Sequence, residues 1–293
     1  MTFNEGMQID TSTTSTGGGG RGPGRGIAVG GGGLGLIVLV VALFLGVDPS
    51  TVMPQQGAPG AEAEGFDTSQ CRTGADANRI AECRVIATAN SLDGIWPQLL
   101  PDYTRPRVKL FTGQVNTACG AASSDVGPFY CPGDQTAYFD VGFFDVLKDQ
   151  FGSSGGPLAQ EYVVAHEFGH HVQQLQGSLV RAQQDPEGAT GGGVRTELQA
   201  DCYAGVWAHY AAITKQPGTD VTYLQPLTDK DIADALSAAS AVGDDRIQEA
   251  ATGRVNPEAW THGSSEQRQK WFTEGYRTGD PASCDTFAAT DLG

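Results

Sequence analysis

Basic side chains are scarce in this chain of 293 residues: 18 Lys and Arg stand against 34 Asp and Glu, for a net charge of −16. Almost all of that excess follows residue 47. A nucleic acid needs a basic surface to displace its counterions, so it is excluded as a partner. The acidity reads instead as the solubility of an exported domain. Cys-x-x-Cys pairs are also missing, which argues against a cysteine zinc ribbon. No internal repeat is present. Cysteine is absent ahead of Cys71; the six cysteines (Cys71, Cys83, Cys119, Cys131, Cys202 and Cys284) all follow the one long apolar run. An even number on one side of such a run suggests disulfides in an oxidising compartment. Proximity favours Cys71–Cys83 and Cys119–Cys131, which leaves Cys202–Cys284 by elimination.

Residues 1–26 are rich in Thr, Ser and Gly and end in Arg21-Gly-Pro-Gly-Arg25-Gly. That composition predicts a disordered tail. The run from Ile27 to Val47 carries no charge and is long enough to span a bilayer as a helix. A cleaved signal peptide with an apolar core at Leu34–Val47 is the rival reading, but no small-x-small site follows closely. Arg21 and Arg25 precede the run and Asp48 follows it. The positive-inside rule then puts the tail in the cytoplasm and the large domain outside, on a single-pass anchor. Residues 48–66 read as a linker rich in Pro, Gln, Gly and Ala. A single domain over 67–293 is expected, starting near Phe66 or Cys71. Periodicity predicts helices over 76–96 (with Pro97 as a stop), 159–176, 194–213, 228–242 and 265–277, and short strands over 108–111 and 136–140. The expected class is α+β, predominantly helical.

Within the second of these helices stands His166-Glu167-Phe168-Gly169-His170. Residues four apart share a helix face, so the two imidazoles project side by side and can reach one Zn²⁺. Glu167, offset by one residue, can sit beside the metal as a general base for water. A catalytic zinc takes three protein ligands. The metzincin pattern would need Gly at 173 and His at 176, where this chain has Gln173 and Gln176. The next candidate is Glu197, four residues ahead of Asp201 in RTELQADCYAGVW. Glu197 reads as the third ligand, and Asp201 as the acceptor for a ligating imidazole N–H.

HEFGHHVQ, ELQADCYAGVW, GPFYCPGDQTAYFD and THGSSEQRQKWFTEGYRTGDPASCDTF resemble the neutral zinc metallopeptidase family of the YpfJ type, over roughly residues 90–287. The resemblance implies a zincin-like fold. In gluzincins a Glu in an E-x-x-x-D helix is the third zinc ligand, which carries over to Glu197 with Asp201 as its partner.

Ser264 and Gln267 form a capping box, so a helix begins there and His262 lies just before its positive end. A neutral imidazole at that place could donate to an oxyanion; a histidine hydrogen-bonded in a loop is the plainer alternative. His171 and His209 read as structural. Asp244-Asp245 reads as a turn. Tyr138 is expected on a strand, in the core or beside the cleft, and Gly191–Gly193 as a loop. The expected function is a membrane-anchored zinc metalloendopeptidase that cleaves a peptide or protein substrate. Its rivals are a non-catalytic zinc-containing binding or assembly module and a zinc amidase acting on cell-wall peptides. Oligomeric state is not legible.

Overall fold

The computed structural model describes residues 2–19, 62–63, 65–183 and 187–293. The anchor expected over 27–47 and most of the 48–66 linker lie outside the described residues. Among those described, no helix is long and apolar enough to cross a membrane. The class is α+β, with about half of the described residues helical.

Two small sheets form the β part. The first has the order β1-β4-β8-β7. Its strands are Thr14–Thr16 (β1), Arg107–Leu110 (β4), Phe129–Cys131 (β7) and Thr136–Phe139 (β8). β1 and β8 both run parallel to β4, and β7 pairs antiparallel with β8. The second sheet joins Gly18–Gly19 (β2), Glu62–Ala63 (β3), Gln114–Thr117 (β5) and Gly120–Ser123 (β6). A satellite core of Phe111, Val115, Val126, Phe129 and Tyr138 fills the space beside them, with the Phe129 and Tyr138 rings stacked at 4.8 Å. β8 lies inside its sheet and β7 is the edge, so Tyr138 belongs to this core and Phe129–Cys131 is the strand that faces the cleft.

The helices are Gly74–Ala77 (α1), Ala81–Leu99 (α2), Phe143–Asp149 (α3), Pro157–Gln176 (α4), Gly192–Ala211 (α5), Asp229–Ala241 (α6), Asp244–Thr252 (α7) and Ser265–Thr278 (α8). α4 is built as its sequence asks. Pro157 opens it, where a missing N–H costs nothing, and Gly177 closes it in the left-handed region at φ 72°. Three glycines set the helix spacing. A Cβ on Gly169 would lie 2.9 Å from Ala200 Cα, so α4 and α5 meet at backbone distance. Cβ atoms on Gly205 or Gly275 would overlap backbone carbonyl oxygens of Phe272 or Cys202, so α5 and α8 lie equally close. This packing carries α8 side chains to the α4–α5 seam.

Several expectations change. Residues 2–17, expected to be disordered, are packed: Phe3 and Met7 are 0% exposed and β1 joins the main sheet. The Gly- and Thr-rich composition around them conceals three apolar anchors, Phe3, Met7 and Ile9. Pro97 does not stop α2; it sits in the last turn, and the helix closes through Leu100 N–H to Trp96 O at 2.8 Å. Asp244 opens α7 in place of a turn, and Gly192 and Gly193 belong to the first turn of α5. The three disulfides are Cys71–Cys83, Cys119–Cys131 and Cys202–Cys284.

Candidate metal centre

α4 carries one stripe of polar residues, Tyr162, His166, His170 and Gln173, at the three- and four-residue steps that share a helix face. α5 presents Glu197 and Asp201 opposite. His166, His170 and Glu197 each offer a ligand atom within 4.8 Å of the others, and all three residues are buried. His166 Nε2 lies 3.1 Å from Glu197 Oε2, and His170 Nε2 lies 3.5 Å from Glu197 Oε1.

The tautomers follow from the far side of each ring. His166 Nδ1–H donates to Asp201 Oδ1 at 2.8 Å, and His170 Nδ1–H donates to Gln173 Oε1 at 2.8 Å. Gln173 is held in turn, its amide donating to Thr196 O at 2.7 Å and Gln199 Oε1 at 3.1 Å. With both Nδ1 atoms protonated, both Nε2 atoms point to the one place that Glu197 also faces. Two imidazole nitrogens and a carboxylate, the imidazoles each oriented from behind by an oxygen acceptor, make a donor set that suits zinc. The residues present therefore fit the metal.

Charge balance around the set is tight. Burial works against charge on His166, but Asp201 and Glu197 outweigh it and hold its pKa up at about 10. Burial pushes His170 down to about 4. Burial alone would raise Glu197; His170, His166 and His262 instead hold it well below the usual carboxylate range. Asp201 is fully buried and is likewise held low, against burial, chiefly by Arg268. Arg268 Nε donates to Asp201 Oδ2 at 2.8 Å and its Nη2 to Asp201 Oδ1 at 2.9 Å, a bidentate pair. The Tyr162 hydroxyl also donates to Asp201 Oδ1. Arg268 comes within 3.8 Å of Glu197 as well.

Glu167 is outside the ligand set. It lines the cleft beside the ligands, receives an N–H from Tyr130 of β7, and burial pushes its pKa up to about 7. Tyr130 itself is fixed to α4, its hydroxyl 2.8 Å from His171 Nδ1 while His171 Nε2–H donates to Thr104 O at 2.6 Å. His171 thus anchors the edge strand. His209 Nδ1 meets Tyr276 O at 2.8 Å, remote from the metal set.

His262 does line the cleft, and a carboxylate faces its ring. Asp244 Oδ2 accepts the backbone N–H groups of Thr261, His262 and Gly263 at 2.7, 2.7 and 3.1 Å. Its Oδ1 lies 3.3 Å from His262 Nδ1. Burial disfavours the imidazolium, yet this fixed carboxylate outweighs burial and raises the His262 pKa.

The residues that sequence reading missed are Arg268, Tyr162, Gln173 and Asp244. Tyr162 and Gln173 carried a signal, since they stand four before His166 and three after His170. Arg268 and Asp244 reach the site only through tertiary packing.

The cleft, open to solvent, has two unlike sets of lining residues. One is the polar set just described. The other is apolar: Val126, Phe129, Phe143, Phe151, Val242 and Ile247.

An HExxH helix with a glutamate on its neighbour is compatible with the metal centre of a zinc peptidase. The family model described as "Putative neutral zinc metallopeptidase" matches residues 2–287, and the chain belongs to that family. It is 71% identical, over the whole length of both chains, to an uncharacterized protein of Mycobacterium tuberculosis, and equally to one of Mycobacterium bovis. It is 46% identical to the uncharacterized protein YpfJ of Escherichia coli K12 over 190 residues, 63% of this chain and 62% of that one. No solved structure matches.

Proposed function

We propose that this protein is a zinc-dependent endopeptidase in which His166, His170 and Glu197 hold the metal and Glu167 is the general base. One observation carries the reading: two Nε2 atoms and one carboxylate converge, while the adjacent Glu167 faces the same cleft without joining them. A structural zinc site is closed by a fourth protein ligand, and the described residues supply three. Zinc bound there would supply Lewis-acid activation of water and of the scissile carbonyl.

The residues of the chain do the rest. Glu167, with its proton affinity raised into the neutral range by burial, takes a proton from the attacking water and passes it to the leaving amine. The His262 imidazole, oriented by Asp244, donates an N–H to the developing oxyanion. Edge strand Phe129–Cys131 lies along the cleft, and its Tyr130 N–H holds Glu167 in place. The apolar wall takes a large apolar side chain next to the scissile bond, because a charged one would lose its water there without a partner. Asp201, Gln173, Arg268 and Tyr162 hold the ligands in place. The three disulfides support an extracytoplasmic site for this chemistry.

The test compares the wild type with Glu167→Gln for metal content and for hydrolysis of a peptide library. The expected result is equal zinc and a rate lower by about 10²–10⁴. Equal rates would remove Glu167 as the base. A library cleaved without preference for apolar residues would refute the assigned role of the apolar wall.

A further inference from the structure

Residues 2–17 are joined to the peptidase domain along their whole length. Phe3 and Met7 lie in the main core, and Phe3 bridges to Leu224. Backbone bonds follow one another: Asn4 N–H to Tyr223 O at 3.1 Å, Gly74 N–H to Met7 O at 2.8 Å and Ile9 N–H to Arg72 O at 2.9 Å. Then β1 pairs in register with β4, Thr14 opposite Val108 and Thr16 opposite Leu110. Three amide side chains of the domain bond both ways with this segment's backbone. Asn78 accepts from Phe3 N–H at 3.1 Å and donates to Phe3 O at 2.9 Å. Asn90 accepts from Asp10 N–H at 2.7 Å and donates to Asp10 O at 2.9 Å. Gln216 accepts from Gln8 N–H at 2.9 Å and donates to Gln8 O at 2.6 Å. At the far end the Thr2 hydroxyl donates to Glu161, on the helix that bears His166 and His170.

Two independent observations show that the domain is shaped for this segment. Gly74 lies under the Asn4 carbonyl, and any Cβ there would overlap it; a Cβ on Gly65 would overlap the Thr16 hydroxyl. The family match also begins at residue 2, ahead of the apolar run, rather than after it.

We infer that residues 2–17 occupy the same compartment as residues 65–293 of the same chain, clasped to the metal-bearing helix. A single crossing of a bilayer between residues 17 and 65 would put these partners on opposite faces. Phe3 and Met7 cannot be buried in a core that they do not reach. The charge asymmetry of Arg21 and Arg25 therefore does not set the topology. The inference does not depend on the zinc reading.

All the described cysteines are paired, so one added cysteine is a unique free thiol. The full chain carrying either Glu5→Cys or Asp102→Cys, both exposed, would be treated in intact spheroplasts with a membrane-impermeant maleimide. The two positions are expected to react to the same extent. Reaction of Asp102→Cys in spheroplasts with Glu5→Cys reacting only after lysis, or the reverse, would overturn the inference. A second variant, Gly6→Cys with Val221→Cys, reports docking directly, because a Cβ at residue 6 would lie 3.6 Å from Val221 Cγ2. An intrachain cross-link that holds the two parts together after cleavage between residues 17 and 65 is expected. A cross-linked dimer, or no cross-link in the folded chain, would overturn it.

Discussion

Two buried carboxylates flank the HExxH motif, and they are treated in opposite ways. Asp201 is enclosed by a guanidinium, an imidazole N–H and a phenol, and its pKa is depressed despite complete burial. Glu161, on the same helix as His166 and also 0% exposed, receives the Thr2 hydroxyl at one oxygen, while its Oε2 meets no hydrogen-bond donor among the described residues. Burial therefore dominates and pushes its pKa up to about 7. The contrast teaches that burial does not decide the charge of a carboxylate; the donors around it do. On one face of α4, Tyr162 and His166 meet a carboxylate of α5 whose negative charge is kept fixed. The neighbouring Glu161 instead accepts a proton where the amino-terminal segment docks.

The sharpest way to break this comparison is to strip Asp201 of its cation. Arg268→Met should destabilise the protein by about 3–5 kcal/mol, since it leaves a buried charge unpaired. Urea unfolding measures it, and a loss below about 1 kcal/mol would mean that the pair is not what stabilises the carboxylate. The next effect lies at Glu161. Its folded pKa is raised, so above the unfolded value the native state holds a proton that the unfolded chain has released. Stability associated with this group is thus intact below about pH 4.5, falls as pH rises to about 7, and is level beyond, for a total of up to about 3 kcal/mol. Glu161→Gln should abolish that slope and be more stable than the wild type at pH 8. Parallel stability–pH curves for the two proteins would contradict the assignment. The smallest effect concerns the ring that has a neutral acceptor. Gln173→Leu frees His170 Nδ1 from its acceptor and should weaken zinc binding by about 10- to 100-fold, read by competition with a chelating dye. An unchanged affinity would show that α4 alone orients His170.

How far the sequence revealed these features depended on the distance over which each is built. His166, Glu167 and His170 are set by one helical period. Glu197 and Asp201 follow from a second helix with the same period, and the site brings the three expected ligands together. Arg268 and Asp244 were hidden, because nothing in their local pattern distinguishes a buried guanidinium or a cradled carboxylate from a solvated one. Only the close α5–α8 crossing at Gly205 and Gly275 brings Arg268 to Asp201. The four later long helices were legible within two residues of their ends, whereas the one expected over 76–96 is broken at 78–80 and runs as Ala81–Leu99. The small-residue hairpin of Gln114–Thr117 and Gly120–Ser123 was not, since it lacks the apolar alternation that marks a strand. The amino-terminal segment escapes for a related reason. Composition averaged over the whole stretch hides Phe3, Met7 and Ile9, whose backbone partners, among them Arg72, Gly74, Asn78 and Leu224, lie far along the chain.

The central claim is that three side chains hold one zinc ion and Glu167 stands beside it. Anomalous scattering at the zinc edge, from crystals of the zinc-loaded full chain, tests it most directly. The account predicts a single strong peak about 2.0–2.2 Å from His166 Nε2, His170 Nε2 and a Glu197 oxygen, with Glu167 outside bonding distance. No peak at that place, or a peak closed by a fourth protein ligand, would contradict it.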